Sequence, residues 1–290
     1  MAEAAMASVE HERLWPFPAF PESVSATHAV SDLSLRRFGL YESDLSVDFD
    51  RTPRPFLVTQ LLECCTTSGR QETVDPNDLW QLPVGKRIEC LFALHLLGAE
   101  SETTLTFRCP NTTCAEESEI TLSLEEVAAL QKDAYSSDRV DVPVGNEILF
   151  LRRPTGSDQL TWLNGTFADG AAARREMVRT LLLDKNGDAD ARGNLPPDEW
   201  LDRVEEAMDE HDPLINFKVR VNCPACQSTN LVTIDLEELS LRGLRNAQRR
   251  LLASIHRLAA HYHWSEQQIF AVPTWRRAQY LSLIANERTQ

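Results

Sequence analysis

A chain of 290 residues, 42% hydrophobic and 25% charged, can bury a sizeable core in one large or two smaller domains, and its composition excludes wholesale disorder. A formal net charge of −15 argues against a nucleic-acid binder, which needs a basic footprint. The excess is uneven: residues 236–290 hold eight Arg against four acidic residues, net +4, which leaves −19 on the first 235.

Residues 1–50 carry Pro16, Pro18 and Pro21 among Ser and acidic residues without sustained periodicity. They are expected to form a flexible N-terminal arm with one short helical turn near Leu33 to Phe38. Folded structure is expected from about Pro55. Phe56 to Cys65 is a compact apolar segment in which helix is favoured. After a loop at Asp78 to Gly85, a helix from Lys86 to Gly98 places Ile88, Leu91, Phe92 and His95 on one buried face. A strand–turn–strand pattern follows: Thr104 to Arg108, a turn holding Cys109-Pro-Asn-Thr-Thr-Cys114, then Glu119 to Leu124. A short helix to Lys132 and strands around Val140 and at Ile148 to Leu151 complete a segment over 51–153.

From 154 to 212 the pattern is helical and is expected to be an insertion. Ser157 or Asp158 caps one helix, Ala171 to Leu183 forms a second and Pro197 to His211 a third. Pro197 followed by Asp198 and Glu199 is favourable chemistry for a helix start. The last segment, 213–290, opens with a second strand–turn–strand: Phe217 to Val221, Cys223-Pro-Ala-Cys226, and Asn230 to Asp235. A long helix from Leu239 to Trp264 carries Leu241, Leu244, Leu251, Ile255, Leu258 and Tyr262 at 3–4 spacing, interrupted by Gln248. Its seam is suited to packing on another helix, of the same chain or another. Ser265 opens a short helix, and Thr274 to Glu287 gives the last.

The two cysteine turns are the strongest chemical signal. A Cys-Pro turn at a hairpin tip aims two thiolates at one point, and two tips supply the four sulfurs of a closed structural zinc site. Cys109, Cys114, Cys223 and Cys226 are therefore the candidate ligands of a structural Zn2+. With 108 residues between Cys114 and Cys223, such a site is split and ties distant segments together. Reduced, unliganded cysteines or a disulfide are the alternatives the residues leave open. Seven cysteines without an export signal fit a reducing cytoplasm, where paired Cys are metal ligands sooner than disulfides. No stretch approaches the roughly 18 apolar residues of a membrane span.

Other constellations point elsewhere. Asp184-Lys-Asn-Gly-Asp-Ala-Asp190 resembles a calcium loop, but Ala189 stands where Gly is required and Leu195 where Glu is. His256, His261 and His263 lack the spacing of a catalytic metal site and read as helix-end and packing residues. Cys64, Cys65 and Cys90 are small core residues. Eleven glycines form no nucleotide cradle, and no nucleophile motif is present, so no enzyme is expected. The expected fold class is α+β, with two zinc-knuckle hairpins forming a split zinc-ribbon-like site, a helical insertion and C-terminal helices.

An ordered series of segments carries a resemblance. Trp80-Gln-Leu-Pro-Val-Gly-Lys-Arg87 leads into a Leu-rich helix, Arg153-Pro-Thr-Gly-Ser157 starts the helical block, and Asp212-Pro-Leu precedes the second cysteine strand. The chain closes with Ile255-His-Arg-Leu-Ala, Tyr262-His-Trp-Ser-Glu266 and Arg276-Arg-Ala-Gln-Tyr-Leu-Ser-Leu283. Over about 55–285 this resembles the baseplate protein family of contractile phage tails and extracellular contractile injection systems, which includes the T-even phage baseplate hub assembly chaperone. The resemblance implies a non-enzymatic chaperone of baseplate hub, spike or wedge proteins, or alternatively a permanent baseplate subunit. No nucleic acid, membrane or small-molecule substrate is expected, and the expected location is cytoplasmic. The four cysteines match the family's paired cysteines. The family's usual Gly after the second cysteine is replaced by Ala115 and Gln227.

The helices from Leu239 onward are the candidate partner surface. Trp264, Trp275, Arg276, Arg277 and Tyr280 are its anchors, because Trp, Tyr and Arg are enriched at binding hot spots. The alternative is that Trp264 and Trp275 are core residues joining two helices.

Overall fold

The computed structural model describes residues 14–17, 33–68, 74–98, 101–134, 139–189 and 196–287. Together they form an α+β architecture in which helices surround small antiparallel sheets. Strand β1 (Trp15–Pro16) pairs with β2 (Leu33–Leu35), and β2 with β3 (Thr66–Ser68). Between the last two lie a 3-10 turn at Glu42–Ser46 and helix α1 (Arg54–Cys65). Helix α2 (Pro76–Gln81) begins at Asp75, whose side chain accepts from the Asn77 N–H, and α3 (Val84–Leu97) follows directly.

Helix α3 organises the molecule. The 3–4 pattern predicts a single buried face, yet every residue except Lys86 and Glu89 is buried. The difference arises because α3 is packed on two sides. Cys90, Leu91, Ala93, Leu94 and Leu97 join α1, α2 and the first turns of the long C-terminal helix, whereas Ile88, Phe92 and Leu96 face the cysteine hairpins. A helix apolar nearly all round belongs at the centre of a fold.

The first hairpin pairs β4 (Glu102–Arg108) with β5 (Glu117–Ser123) in register from Glu102↔Ser123 to Arg108↔Glu117. Helix α4 (Leu124–Ala134) follows without a break. Strand alternation turns Leu105, Phe107, Ile120 and Leu122 inward. Strands β6 (Arg139–Val144), β7 (Glu147–Arg152) and β8 (Leu182–Leu183) make a separate sheet. Helix α5 (Gly156–Asn164) is capped by Thr155 rather than by Ser157 or Asp158; Asp158, its third residue, completes a capping box with Thr155. Val140, Val142 and Leu151 pack with Val178 and Leu181 of α6 (Gly170–Leu181) and Leu201 and Val204 of α7 (Asp198–His211). The 154–212 block thus shares a core with β6 and β7.

The second hairpin, β9 (Phe217–Asn222) and β10 (Thr229–Ile234), feeds the 27-residue helix α8 (Leu236–Tyr262), capped by Asp235 at one end and by His263 at φ 58° at the other. Its seam is used within the chain: Leu241 and Leu244 meet α3. Ile255 and Leu258 close on Ile269 of α9 (Glu266–Ala271) and Ile284 of α10 (Thr274–Glu287). No helix among the described residues is long and apolar enough to cross a membrane.

The expected arm over 1–50 needs correction. Residues 1–13 and 18–32 lie outside the described residues, but Phe17, Leu35, Phe38, Val47 and Phe49 are buried in the same cluster as α1 and α3. The helical turn expected at Leu33 to Phe38 begins instead as a strand over Leu33–Leu35, whose residues find ladder partners in β3. A buried ion pair completes it: Arg36 donates to both carboxylate oxygens of Asp44 (2.7 and 2.8 Å), which also accepts from the backbone N–H of Gly39.

Candidate metal centre

Both cysteine hairpins stand on one apolar cluster. Leu122 and Ile234, with half-buried Leu105, Ile120, Val219 and Val232, pack around Phe92 of α3. This shared footing brings the two tips together although they are far apart in sequence. Four sulfurs converge: Cys109, Cys114, Cys223 and Cys226 have ligand atoms all within 4.8 Å of one another. The Cys109–Cys226 and Cys114–Cys223 separations are both 3.8 Å. A tetrahedral zinc with Zn–S bonds of about 2.3 Å has S···S edges of about 3.8 Å. A disulfide needs about 2.05 Å, and all seven cysteines are free thiols. The cluster is therefore compatible with a metal such as zinc.

The two turns are built alike. In the first, the Cys109 N–H donates to Glu116 O (2.8 Å) and the Ala115 N–H to Asn111 O (2.9 Å). In the second, the Cys223 N–H donates to Ser228 O and the Gln227 N–H to Cys223 O, both 2.9 Å. Each returns to its strand through one residue at positive φ, Ala115 (50°) and Gln227 (59°). These are positions at which glycine is the favoured residue. The turns close without it, at the strain a side chain incurs in the left-handed region.

Polar groups surround the sulfurs. The Ser228 hydroxyl lies 3.0 Å from Cys226 Sγ and 3.7 Å from Cys109 Sγ, and Asn230 Nδ2 lies 3.9 Å from Cys109 Sγ. Asn111 Nδ2 approaches Cys226 Sγ at 4.0 Å. The Ser228 hydroxyl and backbone, with the neighbouring sulfurs, draw the Cys226 thiol down to about 6. At Cys114 the Glu116 backbone pulls down, but desolvation and the other three sulfurs push the thiol up to about 12. Cys226 therefore gives up its proton more readily than Cys114. Ser228 and Asn230 were not singled out in the sequence. A signal existed for Asn230: it occupies an inward position of β10 in register with Val232 and Ile234, where alternation calls for an apolar residue.

Elsewhere the candidates separate. Asp184 Oδ1 accepts from the N–H groups of Asn186 (2.8 Å) and Asp188 (3.0 Å), so its carboxylate serves its own turn, and Asp190 lies outside the described residues. Among the described residues, the four cysteines are the only group of three or more His, Cys, Asp or Glu whose ligand atoms converge. His256 and His261 are exposed on α8. Cys65 and Cys90 are buried, and burial pushes both thiols up.

The five proposed partner anchors do not form one surface. Trp264 stacks on Tyr262 (centroids 4.8 Å) and meets Tyr280 edge-on (5.2 Å), joining α8 to α10. Arg277 is buried, its guanidinium over the Phe270 ring at 5.3 Å. Trp275 and Arg276 face outward, Trp275 half exposed.

No family model matches the chain, and no curated protein and no solved structure matches it either.

Proposed function

We propose that the protein is a non-enzymatic assembly factor, a cytoplasmic chaperone for the baseplate or hub of a contractile injection system or phage-like tail, braced by a structural zinc. The observation that carries the reading is the four-sulfur node. Four thiolates fill a tetrahedral zinc and leave no open position for a substrate or a water, so the site supplies rigidity to the body that a partner-binding helix requires. Cys109 and Cys114 from one knuckle and Cys223 and Cys226 from the other hold the ion as a split zinc ribbon, and their deprotonation on binding couples metal to fold.

The segments that carry the baseplate resemblance support the same reading, because three of them meet at the start of α3. Pro83 bridges Thr155, the Val84 N–H donates to Pro154 O (2.8 Å), and the Asp212 carboxylate lies over Gly85. Trp275 and Arg276 on the outer face of α10 are the anchors available to a hub, spike or wedge protein, with Trp264, Tyr280 and Arg277 shaping the support behind them.

A second reading, a permanent subunit of the mature particle, is favoured by one observation: Trp275 (50%) and Leu283 (54%) leave apolar surface on α10. Permanent interfaces are the more apolar ones. Quantitative mass spectrometry of purified particles beside a deletion strain separates the readings. A chaperone is absent from particles yet required for their formation, and a subunit is present at fixed copy number. Normal particles in the deletion strain would refute both.

A further inference from the structure

On the side of α3 away from the hairpins, a half-open cleft of about 240 Å³ lies between the Arg37–Leu40 turn, α8 and α10. Its walls are aliphatic: Leu244, Leu251, Ile255 and Leu281 among others. Its charge is one-sided. Arg37, Arg250 and Arg277 line it, and among the described residues no carboxylate does, in a chain whose net charge is −15.

Arg277 is the telling residue. It is 8% exposed, and among the described residues its Nε has no hydrogen-bond partner and its one polar side-chain contact is Nη2 to Thr274 Oγ1 at 3.1 Å. A buried cation normally has an anion beside it. Elsewhere in this protein buried guanidiniums have strong acceptors: Arg36 lies on Asp44, which holds it above the ordinary pKa despite burial, and Arg87 donates to the carbonyls of Leu79 and Pro55 and to the Thr59 hydroxyl. Among the described residues Arg277 has neither a carboxylate nor a carbonyl acceptor. At Arg277 burial, and then the neighbouring positive charge of Arg37, pull the other way. Two guanidiniums facing one cleft with no carboxylate between them leave a place for an anion. Thr274, the first residue of α10, adds the positive end of that helix at the same wall.

We infer that this cleft receives a short segment of a partner protein in which a bulky apolar side chain neighbours Asp or Glu. The apolar side chain enters between Leu251, Ile255 and Leu281, and the carboxylate pairs with Arg277 and Arg37. The volume favours a protein segment over a whole small molecule. Sites that enclose a drug-sized ligand run to about 300–1,000 Å³, whereas this one accommodates one or two side chains and leaves the rest of the ligand outside. The inference rests on the assembly reading only for the partner being a protein; the site itself follows from charge and shape.

The test is fluorescence anisotropy of the intact protein with an array of labelled octapeptides, in which Leu, Ile, Phe or Trp stands beside Asp or Glu. Each peptide is paired with its Asn or Gln counterpart. Peptides combining the two features bind, and their amide counterparts bind about tenfold more weakly. Arg277→Gln reproduces that loss. Ala278→Trp, an exposed position on the lip of the cleft, blocks entry with the melting temperature unchanged. The inference is overturned if no peptide of the array binds, if the amide peptides bind equally, or if binding survives both variants. It is also overturned if octanoate binds where no peptide does, which marks a small aliphatic acid as ligand. Self-association lost in Arg277→Gln would make the cleft an interface between copies and overturn it too. A silent array with particles lost on deletion refutes the cleft alone; a binding array with normal particles on deletion refutes the assembly role alone.

Discussion

The carboxylate of Asp212 lies directly against the Cα of Gly85, so close that a Cβ on residue 85 would overlap it. Gly85 is the second residue of α3, and Asp212 is fully buried beside the first turn of that helix, where the dipole favours an anion. The contact joins the end of the helical block to the central helix of the fold. Gly85→Ala is expected to cost about 1–3 kcal/mol in urea unfolding, by overpacking a buried charge. Gly170→Ala, where a Cβ meets nothing within 4 Å, serves as the control and should stay within about 0.5 kcal/mol.

The Asp158–Arg152 pair makes stability depend on acid. Burial pushes the Asp158 carboxyl up, but the Arg152 guanidinium (2.5 and 2.7 Å) and the Thr155 N–H (2.8 Å) outweigh it and hold the pKa below the ordinary value. A depressed carboxylate contributes stability that is present above its unfolded pKa of about 3.9 and lost as pH falls through the folded value. Asp158→Asn should therefore cost about 1–3 kcal/mol at pH 7. The gap from the parent protein should close below pH about 4 when unfolding is followed across pH; a gap independent of pH would contradict it.

Much of this was legible from residue order alone, and the failures have physical causes. The hairpins, the turn cysteines and the Thr274 helix follow from alternation, Cys-Pro turns and 3–4 spacing, all local signals. The amino-terminal layer was not legible. Arg36 and Asp44 look like solvated charges in a polar stretch until the fold closes them on each other, with Arg36 also donating to Cys64 O across a loop. Likewise Arg87 is fully buried, its Nη1 and Nη2 donating to the backbone carbonyls of Leu79 and Pro55. Long-range pairing of charges leaves no periodic trace in sequence. Arg277 was picked as an exposed anchor by residue type; its helix position turns it inward onto Phe270.

The left-handed residues of the two knuckles store removable strain. Ala115→Gly and Gln227→Gly should each stabilise the protein by roughly 0.5–1 kcal/mol, the left-handed penalty less the entropy glycine loses on folding. Calorimetry would show higher melting temperatures with metal content unchanged. A lower melting temperature in either variant would mean that its side chain contributes packing that outweighs the backbone strain.

Within the C-terminal aromatic group, stability and recognition should separate. Tyr280 touches both Tyr262 (5.3 Å) and Trp264 (5.2 Å), so Tyr280→Ala is expected to loosen α10 from α8 and cost about 2 kcal/mol. Trp275→Ala, at a half-exposed position, should leave thermal unfolding within about 0.5 kcal/mol of the parent. Any loss of partner capture in that variant is then a surface effect.

The most direct test of the account is the zinc-to-protein ratio of the purified chain, by inductively coupled plasma mass spectrometry, read beside the melting temperature of the parent and of Cys223→Ser. The account predicts a single zinc per chain, lost in the variant together with a lowered melting temperature. Metal-free protein whose melting temperature is unchanged by Cys223→Ser would contradict it.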